Sequence, residues 1–160
     1  NIGLYFITYM IQVILIGIVS LPILLLMIQS EFDNIKLVSL IGVILSLLGI
    51  AIESIADYQM TKFKDKTDNK GKLMNKGLWQ YSRHPNYFGD SMFWWGIFLF
   101  SYGYTSNLLI AISPVIMTYF LIKVSGVSLL ERQIKHKKEG YEEYIKNTSS
   151  FILMPNKNKK

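Results

Sequence analysis

Residues 2–30 contain no Asp, Glu, Lys or Arg, and this long uncharged stretch restricts the chain to very few architectures. A helix needs about 20 predominantly apolar residues to cross a bilayer, and the stretch is longer than that. Counting this stretch, four apolar runs cover residues 4–28, 37–56, 87–103 and 108–130. Because backbone groups in lipid must be hydrogen-bonded within their own segment, each run is predicted to form a transmembrane helix.

The predicted fold is therefore all-α, a polytopic transmembrane helical bundle with about four membrane-spanning helices. The chain has 160 residues, which fits one domain, and 51% of them are hydrophobic. We expect a single membrane domain over residues 1–155, taken from a longer chain because the first residue is Asn, and a disordered basic tail over 156–160. The segment 140–144 (GYEEY) places two tyrosines on one side of a short amphipathic C-terminal helix.

Positive charge is concentrated in two polar segments. Fifteen of the seventeen Lys and Arg residues lie in the connector 58–85 and in the tail from residue 131 onward. With four spans, these two segments fall on the same side of the membrane, and the positive-inside rule makes that side cytoplasmic. The chain is thus predicted to be a multi-pass protein of the cell membrane, with its basic segments near anionic lipid headgroups.

Composition also argues against several functional classes. Nucleic-acid binding is not expected, because no stacking platform or groove-reading motif accompanies the positive charge. The sequence contains no cysteine, which excludes disulfides, thiolate catalysis and cysteine-ligated zinc. Its two histidines are too few for a histidine-rich metal site, so no metal is predicted.

The segment 83–90 (RHPNYFGD) is unusually polar for the start of an apolar run. Proline suits the first position of a helix, and the residue before it avoids helical geometry, so a helix is predicted to begin at Pro85 with His84 at its cap. A helix N-terminus offers free N–H groups to anions, and Arg83 adds a fork of donors suited to phosphate or carboxylate. The alternative is a simple capped helix whose arginine contacts lipid headgroups.

Two pairs of polar residues spaced four apart belong to the same region. Asn86 and Asp90 share a helix face, so Asp90 either accepts hydrogen bonds from ribose hydroxyls or holds Asn86 in place. Glu53 and Asp57 end the second apolar run, where carboxylates should face the bundle or a wet cavity. They are predicted to bind hydroxyls or a ring amide of a cofactor, or to pair with Arg83. A salt bridge to a connector lysine is the alternative.

The string 77–90 (GLWQYSRHPNYFGD) resembles a bacterial membrane family of unknown function. That family is related to the C-terminal domain of steroid 5α-reductase and to the sterol reductases. The similarity continues upstream through residues 53–72 and downstream through residues 124–152, so it covers nearly the whole chain. Isoprenylcysteine carboxyl methyltransferases share a looser form of the pattern, with Arg-His-Pro, a later Glu and a Tyr-x-x-Tyr tail.

The resemblance to the reductases implies a cytoplasm-facing pocket for NADPH. The positions that match or lie near its lining are Asp57, Lys64, Lys72, Arg83, His84, Asn86, Tyr87, Asp90, Lys123 and Glu131. For Lys123, which interrupts the fourth run, snorkelling to the interface is the alternative to a contact with cofactor phosphate. Two positions depart from the pattern, since Gln80 stands where Arg is frequent and Asp90 where Glu is usual. Tyr87 is the candidate catalytic proton donor, although the reductases draw such groups largely from upstream helices.

The leading functional hypothesis is an NADPH-dependent reductase of a lipid carbon–carbon double bond conjugated to a carbonyl, acting on a lipid-like, isoprenoid-like or steroid-like substrate. The second hypothesis is a membrane methyltransferase that uses S-adenosylmethionine, a cation with one carboxylate and no phosphate. One basic anchor, Arg83 or His84, would suffice for that cofactor. The third hypothesis is a membrane protein without catalytic activity that binds lipid.

Overall fold

The computed structural model describes residues 2–29, 35–124, 127 and 140–155. The α-helices whose bounds fall within these residues are α1 (Ile2–Met27), α2 (Leu37–Lys64), α3 (Pro85–Thr105), α4 (Ile112–Tyr119) and α5 (Tyr141–Asn147). Short 3-10 turns cover Thr67–Asn69, Gly77–Gln80 and Leu108–Ala111, and a π-helical turn covers Phe120–Val124. No strand occurs among the described residues, which agrees with the predicted all-α class. One isolated bridge pairs Ser82 with Ser149.

Two of the described helices are long and apolar enough to cross a membrane. They are α1, over Tyr5–Met27, and α2, over Leu37–Lys64. Both correspond to predicted spans. The third predicted span is the helix α3, which carries polar residues in its first two turns. The described residues of the fourth include a 3-10 turn, the short helix α4 and the π-helical turn. The total of four spans therefore stays a prediction.

Two helix boundaries can be compared with the sequence. The predicted helix start at Pro85 is confirmed, because α3 begins there. The second helix was expected to end near residue 56, but α2 continues to Lys64. Its last turns carry an apolar stripe spaced as on one face of a helix, in which Ala56 is buried and Met60 and Phe63 are partly buried. Burial of this stripe accounts for the continuation of the helix past residue 56, where the apolar run ends.

The chain divides into two compact units. The first contains Asn1–Ser46 and Trp94–Met117, and the second contains Leu47–Phe93 and Thr118–Lys160. In the first unit, small residues let α2 and α3 approach closely: a Cβ added to Gly96 would meet the carbonyl oxygen of Gly42 at 2.5 Å. The Ser39 hydroxyl there donates to the carbonyl of Phe100 at 3.0 Å.

In the second unit, α2 and α3 run antiparallel in a register set by glycine. A Cβ on Gly89 would meet the carbonyl oxygen of Gly49 and the backbone nitrogen of Glu53, each at 2.6 Å. The two backbones therefore come as close as side-chain-free positions allow. This register places Asp57, one turn beyond Glu53 on α2, beside Asn86 in the first turn of α3.

The C-terminal segment of the second unit docks on residues 79–83. The Arg83 N–H donates to the carbonyl of Ser149 at 2.8 Å, and the Met154 N–H donates to the carbonyl of Tyr81 at 3.1 Å. The Ser82 hydroxyl donates to the carbonyl of Phe151 at 2.7 Å. These bonds join segments about 70 residues apart in sequence and fix α5 against the entrance to α3.

Candidate functional site

A cavity of about 400 Å³, here called the central cavity, lies within the second unit. Six of the ten predicted site residues line it: Asp57, Lys64, Arg83, His84, Asn86 and Tyr87. The remaining lining is largely apolar or aromatic and consists of Met60, Leu73, Met74, Trp79, Tyr141 and Tyr144. A mostly apolar wall with a few convergent polar groups is typical of small-molecule sites, and the volume falls within their usual range.

Asp57 and Asn86 form the polar centre of the lining. The Asn86 side-chain amide donates to Asp57 Oδ1 at 3.1 Å, which joins α2 to the first turn of α3. Asn86 Oδ1 is buried and accepts no hydrogen bond from the described residues. Asp57 therefore holds Asn86 in place, a role that was one of two predicted for Asp90. A buried acceptor of this kind is costly unless a donor reaches it, and a bound ligand is one way to supply that donor.

Arg83 is buried, and part of its guanidinium binds the protein itself. One terminal nitrogen, Nη1, donates to the carbonyl of Ile145 at 3.0 Å and to that of Thr148 at 2.6 Å. These carbonyls belong to the C-terminal end of α5, where main-chain acceptors lack helical partners and cations are favoured. Arg83 therefore lines the central cavity and also anchors the helix that completes the cavity wall.

His84 and Tyr87 present two stacked rings to the same cavity. Their ring centroids are 5.6 Å apart, and their planes differ by only 4°. His84 is buried, and its backbone N–H donates to the Ser82 hydroxyl at 3.1 Å, which fixes the residue at the cap of α3. The helix start that Pro85 dictates is what aligns the two rings on one side.

The other four predicted site residues do not line the central cavity. Lys72 lines two neighbouring cavities of about 420 and 590 Å³, which share residues with the central one. Asp90 lies one turn after Asn86 on α3 and is close enough to interact electrostatically with Glu53 and Tyr87. Lys123 is exposed in the π-helical turn. Glu131 lies outside the described residues.

The sequence matches the family described as "Protein of unknown function (DUF1295)" over residues 2–148. The chain belongs to this family. No curated protein and no solved structure matches it. The predicted resemblance to a family of unknown function is therefore confirmed, whereas the relation to steroid 5α-reductase stays a prediction. The DUF1295 match includes every residue that lines the central cavity.

In this DUF1295 protein, three aromatic residues of the cavity wall were not predicted as site residues. The Tyr144 hydroxyl donates to the carbonyl of Trp79, and the Trp79 indole N–H donates to the carbonyl of Ala56 at 3.0 Å. Tyr141 and Tyr144 are both buried. Their spacing of three residues did place them on one side of a short amphipathic helix, but nothing in the sequence indicated that this side lines a cavity.

Proposed function

We propose that this protein is a membrane-embedded, NADPH-dependent reductase of a lipid carbon–carbon double bond conjugated to a carbonyl. The observation that carries the proposal is the composition of the central cavity. A carboxylate, an amide with a buried oxygen, an imidazole and a phenol converge there, contributed by Asp57, Asn86, His84 and Tyr87. Lysines line the neighbouring cavities. A dinucleotide phosphate needs this combination of hydrogen-bonding groups at one end and cations at the other.

The cavity residues fit the non-phosphate part of such a cofactor. Asp57 is an acceptor for ribose hydroxyls, and the buried Asn86 Oδ1 is an acceptor for the N–H₂ of a ring carboxamide. The apolar surfaces of Met60, Met74 and Trp79 would cover a planar ring and exclude water from it. The bound nicotinamide would supply a hydride, and the protein would supply orientation.

Reduction of a conjugated double bond also requires a proton. Tyr87 carries a hydroxyl in the cavity lining, and its ring is held against that of His84. In the proposal Tyr87 is the group that donates a proton to the substrate.

Membrane placement belongs to the same proposal. Helices α1 and α2 are long and apolar enough to cross a bilayer, and the large side chains of α1 are mostly exposed. The connector 58–85 and the tail would face the cytoplasm, because they carry most of the positive charge. A lipid-like substrate would then enter from the bilayer and the cofactor from the cytoplasm.

Cofactor binding is the direct test. The full chain in neutral detergent would be titrated with NADPH, following nucleotide fluorescence, and compared with the variants Asn86→Leu and Lys146→Gln. We expect saturable binding that Asn86→Leu weakens by about tenfold or more, since a ligand donor loses its buried acceptor. Lys146→Gln alters an exposed residue of α5 and should bind normally. If NADPH does not bind the unaltered protein, the proposal is wrong.

One observation favours a second candidate, a methyltransferase that uses S-adenosylmethionine. Nη1 of Arg83 is occupied by two main-chain carbonyls, which leaves fewer cationic groups in the central cavity for phosphate. S-adenosylmethionine carries no phosphate and needs only one anchor for its carboxylate. A thermal-shift comparison separates the two cofactors: stabilisation by S-adenosylmethionine and not by NADPH would select the methyltransferase.

A further inference from the structure

A second cavity in the same unit, of about 590 Å³, has a different chemical character. Its charged lining consists of Lys62, Lys66, Lys72 and Lys76, and no carboxylate belongs to the part of the lining that the structure describes. We call it the lysine cavity. It shares Leu73 and Met74 with the central cavity, so the two cavities adjoin each other.

Specific hydrogen bonds shape the connector that supplies these lysines. Gln59 Oε1 accepts from the backbone N–H of Leu78 at 2.9 Å, and the Asn69 amide donates to the carbonyl of Phe63 at 2.8 Å. Gly77 has φ of +62°, and a Cβ there would press against the Gln59 side chain. Both ends of the connector are therefore tied to α2, and the lysines belong to a defined cavity wall.

Four exposed lysines contribute to the lining of this one cavity, and a group of cations favours an anion with high charge density. A phosphate monoester carries about −1.5 to −2 charges at pH 7 and three acceptor oxygens, more than a carboxylate offers. Asn69 and Asn75 belong to the same lining, and their side-chain amides add hydrogen-bonding groups to it. Bringing the cations together costs repulsion, which a dianion offsets.

We propose that the lysine cavity binds a phosphate monoester group. Two candidate ligands contain this group: NADPH, which has a 2′-phosphate, and a membrane lipid with a phosphate monoester headgroup. The shared wall at Leu73 and Met74 favours NADPH, because a central cavity of about 400 Å³ accommodates only part of a dinucleotide. The assignment to NADPH rests on the proposed function, whereas the assignment to phosphate monoester does not.

The test compares NADPH with NADH, which differ only by the 2′-phosphate. Dissociation constants would be measured for the full chain in neutral detergent, for Lys66→Gln/Lys72→Gln, and for the control Lys36→Gln/Lys146→Gln. Both double variants remove two positive charges, but neither control lysine lines the lysine cavity. We expect the unaltered protein and the control to prefer NADPH, and the cavity variant to lose that preference by about tenfold or more.

A second arm uses nanodiscs of phosphatidylcholine with and without phosphatidic acid, and measures thermal unfolding without nucleotide. Stabilisation by phosphatidic acid that the cavity variant loses and the control retains would support the site with lipid as the source. If neither nucleotide preference nor lipid stabilisation depends on Lys66 and Lys72, the phosphate site is wrong. NADPH and NADH binding equally in all variants would then leave the reductase proposal standing. If phosphatidic acid binds through these lysines and no nucleotide binds, the phosphate site is supported and the reductase proposal is wrong.

Discussion

Asn86 donates a hydrogen bond to Asp57 across 3.1 Å, and this contact joins the cavity-facing end of α2 to the first turn of α3. The two residues are 29 positions apart in the sequence, and each is placed by its own helix. The close approach of the helices at Gly49 and Gly89 sets the register in which this contact forms. The contact therefore depends on the packing of the second unit, and it contributes to the polarity of the central cavity.

We predict that Asn86→Asp destabilises the protein and that Asp57→Asn rescues it. The single change puts two carboxylates face to face and removes the donor, at a cost of about 1.5–3 kcal/mol. In the double variant an amide again faces a carboxylate, with donor and acceptor exchanged. Thermal unfolding of the four proteins in detergent gives the coupling energy. Additive effects of the two substitutions would contradict a direct contact.

Replacing Arg83 by Met should release the C-terminal segment. The variant loses the charged donor that binds the carbonyls of Ile145 and Thr148, which is worth about 1.5–3 kcal/mol. We expect faster hydrogen exchange over residues 140–155, and unchanged exchange in α1. Lys146→Gln removes a positive charge from the same helix without removing these bonds, and serves as the control. Exchange in 140–155 that is equally fast in both variants would show that charge alone matters.

Tyr144→Phe should lower stability by about 1 kcal/mol, because the buried carbonyl of Trp79 loses its hydroxyl donor. The ring remains, so the shape of the cavity wall is kept. Tyr119→Phe is a matched control, since Tyr119 is 57% exposed. Chemical unfolding followed by tryptophan fluorescence would compare the two, and equal midpoints would refute the role assigned to the Tyr144 hydroxyl.

Gly89→Ala is predicted to be strongly destabilising. The added methyl group would lie 2.6 Å from the backbone nitrogen of Glu53, so α2 and α3 must move apart. Overpacking of this kind typically costs about 1–3 kcal/mol. Gly17→Ala provides the control within a helix, because nothing lies within 4 Å of the position that its methyl group would take and alanine favours helices. Equal thermal unfolding of both variants would contradict the close approach.

Local chemistry made parts of this molecule predictable from sequence. Pro85 fixes the start of α3, since a proline restricts both itself and the residue before it. The uncharged run of α1 is long enough to require a helix in lipid. The grouping of Asp57, His84, Asn86 and Tyr87 followed from a resemblance in sequence, and these residues do line one cavity.

Other features depend on contacts that leave no local pattern. The anchoring of Ile145 and Thr148 by Arg83 uses main-chain carbonyls, which every residue possesses, so no residue type identifies the partner. For the same reason the sequence predicted a phosphate or carboxylate partner for Arg83 and not these carbonyls. The burial of Tyr144 likewise depends on the carbonyl of Trp79, 65 positions earlier.

The docking of residues 140–155 has a consequence for how the protein is made. A ribosome completes α2 and α3 before it synthesises the segment that carries Tyr141 and Tyr144. During that interval the polar groups Asp57 and Asn86 already exist, but the aromatic wall of the central cavity does not. The central cavity therefore gains its full lining only after residues 140–155 have been synthesised and have docked.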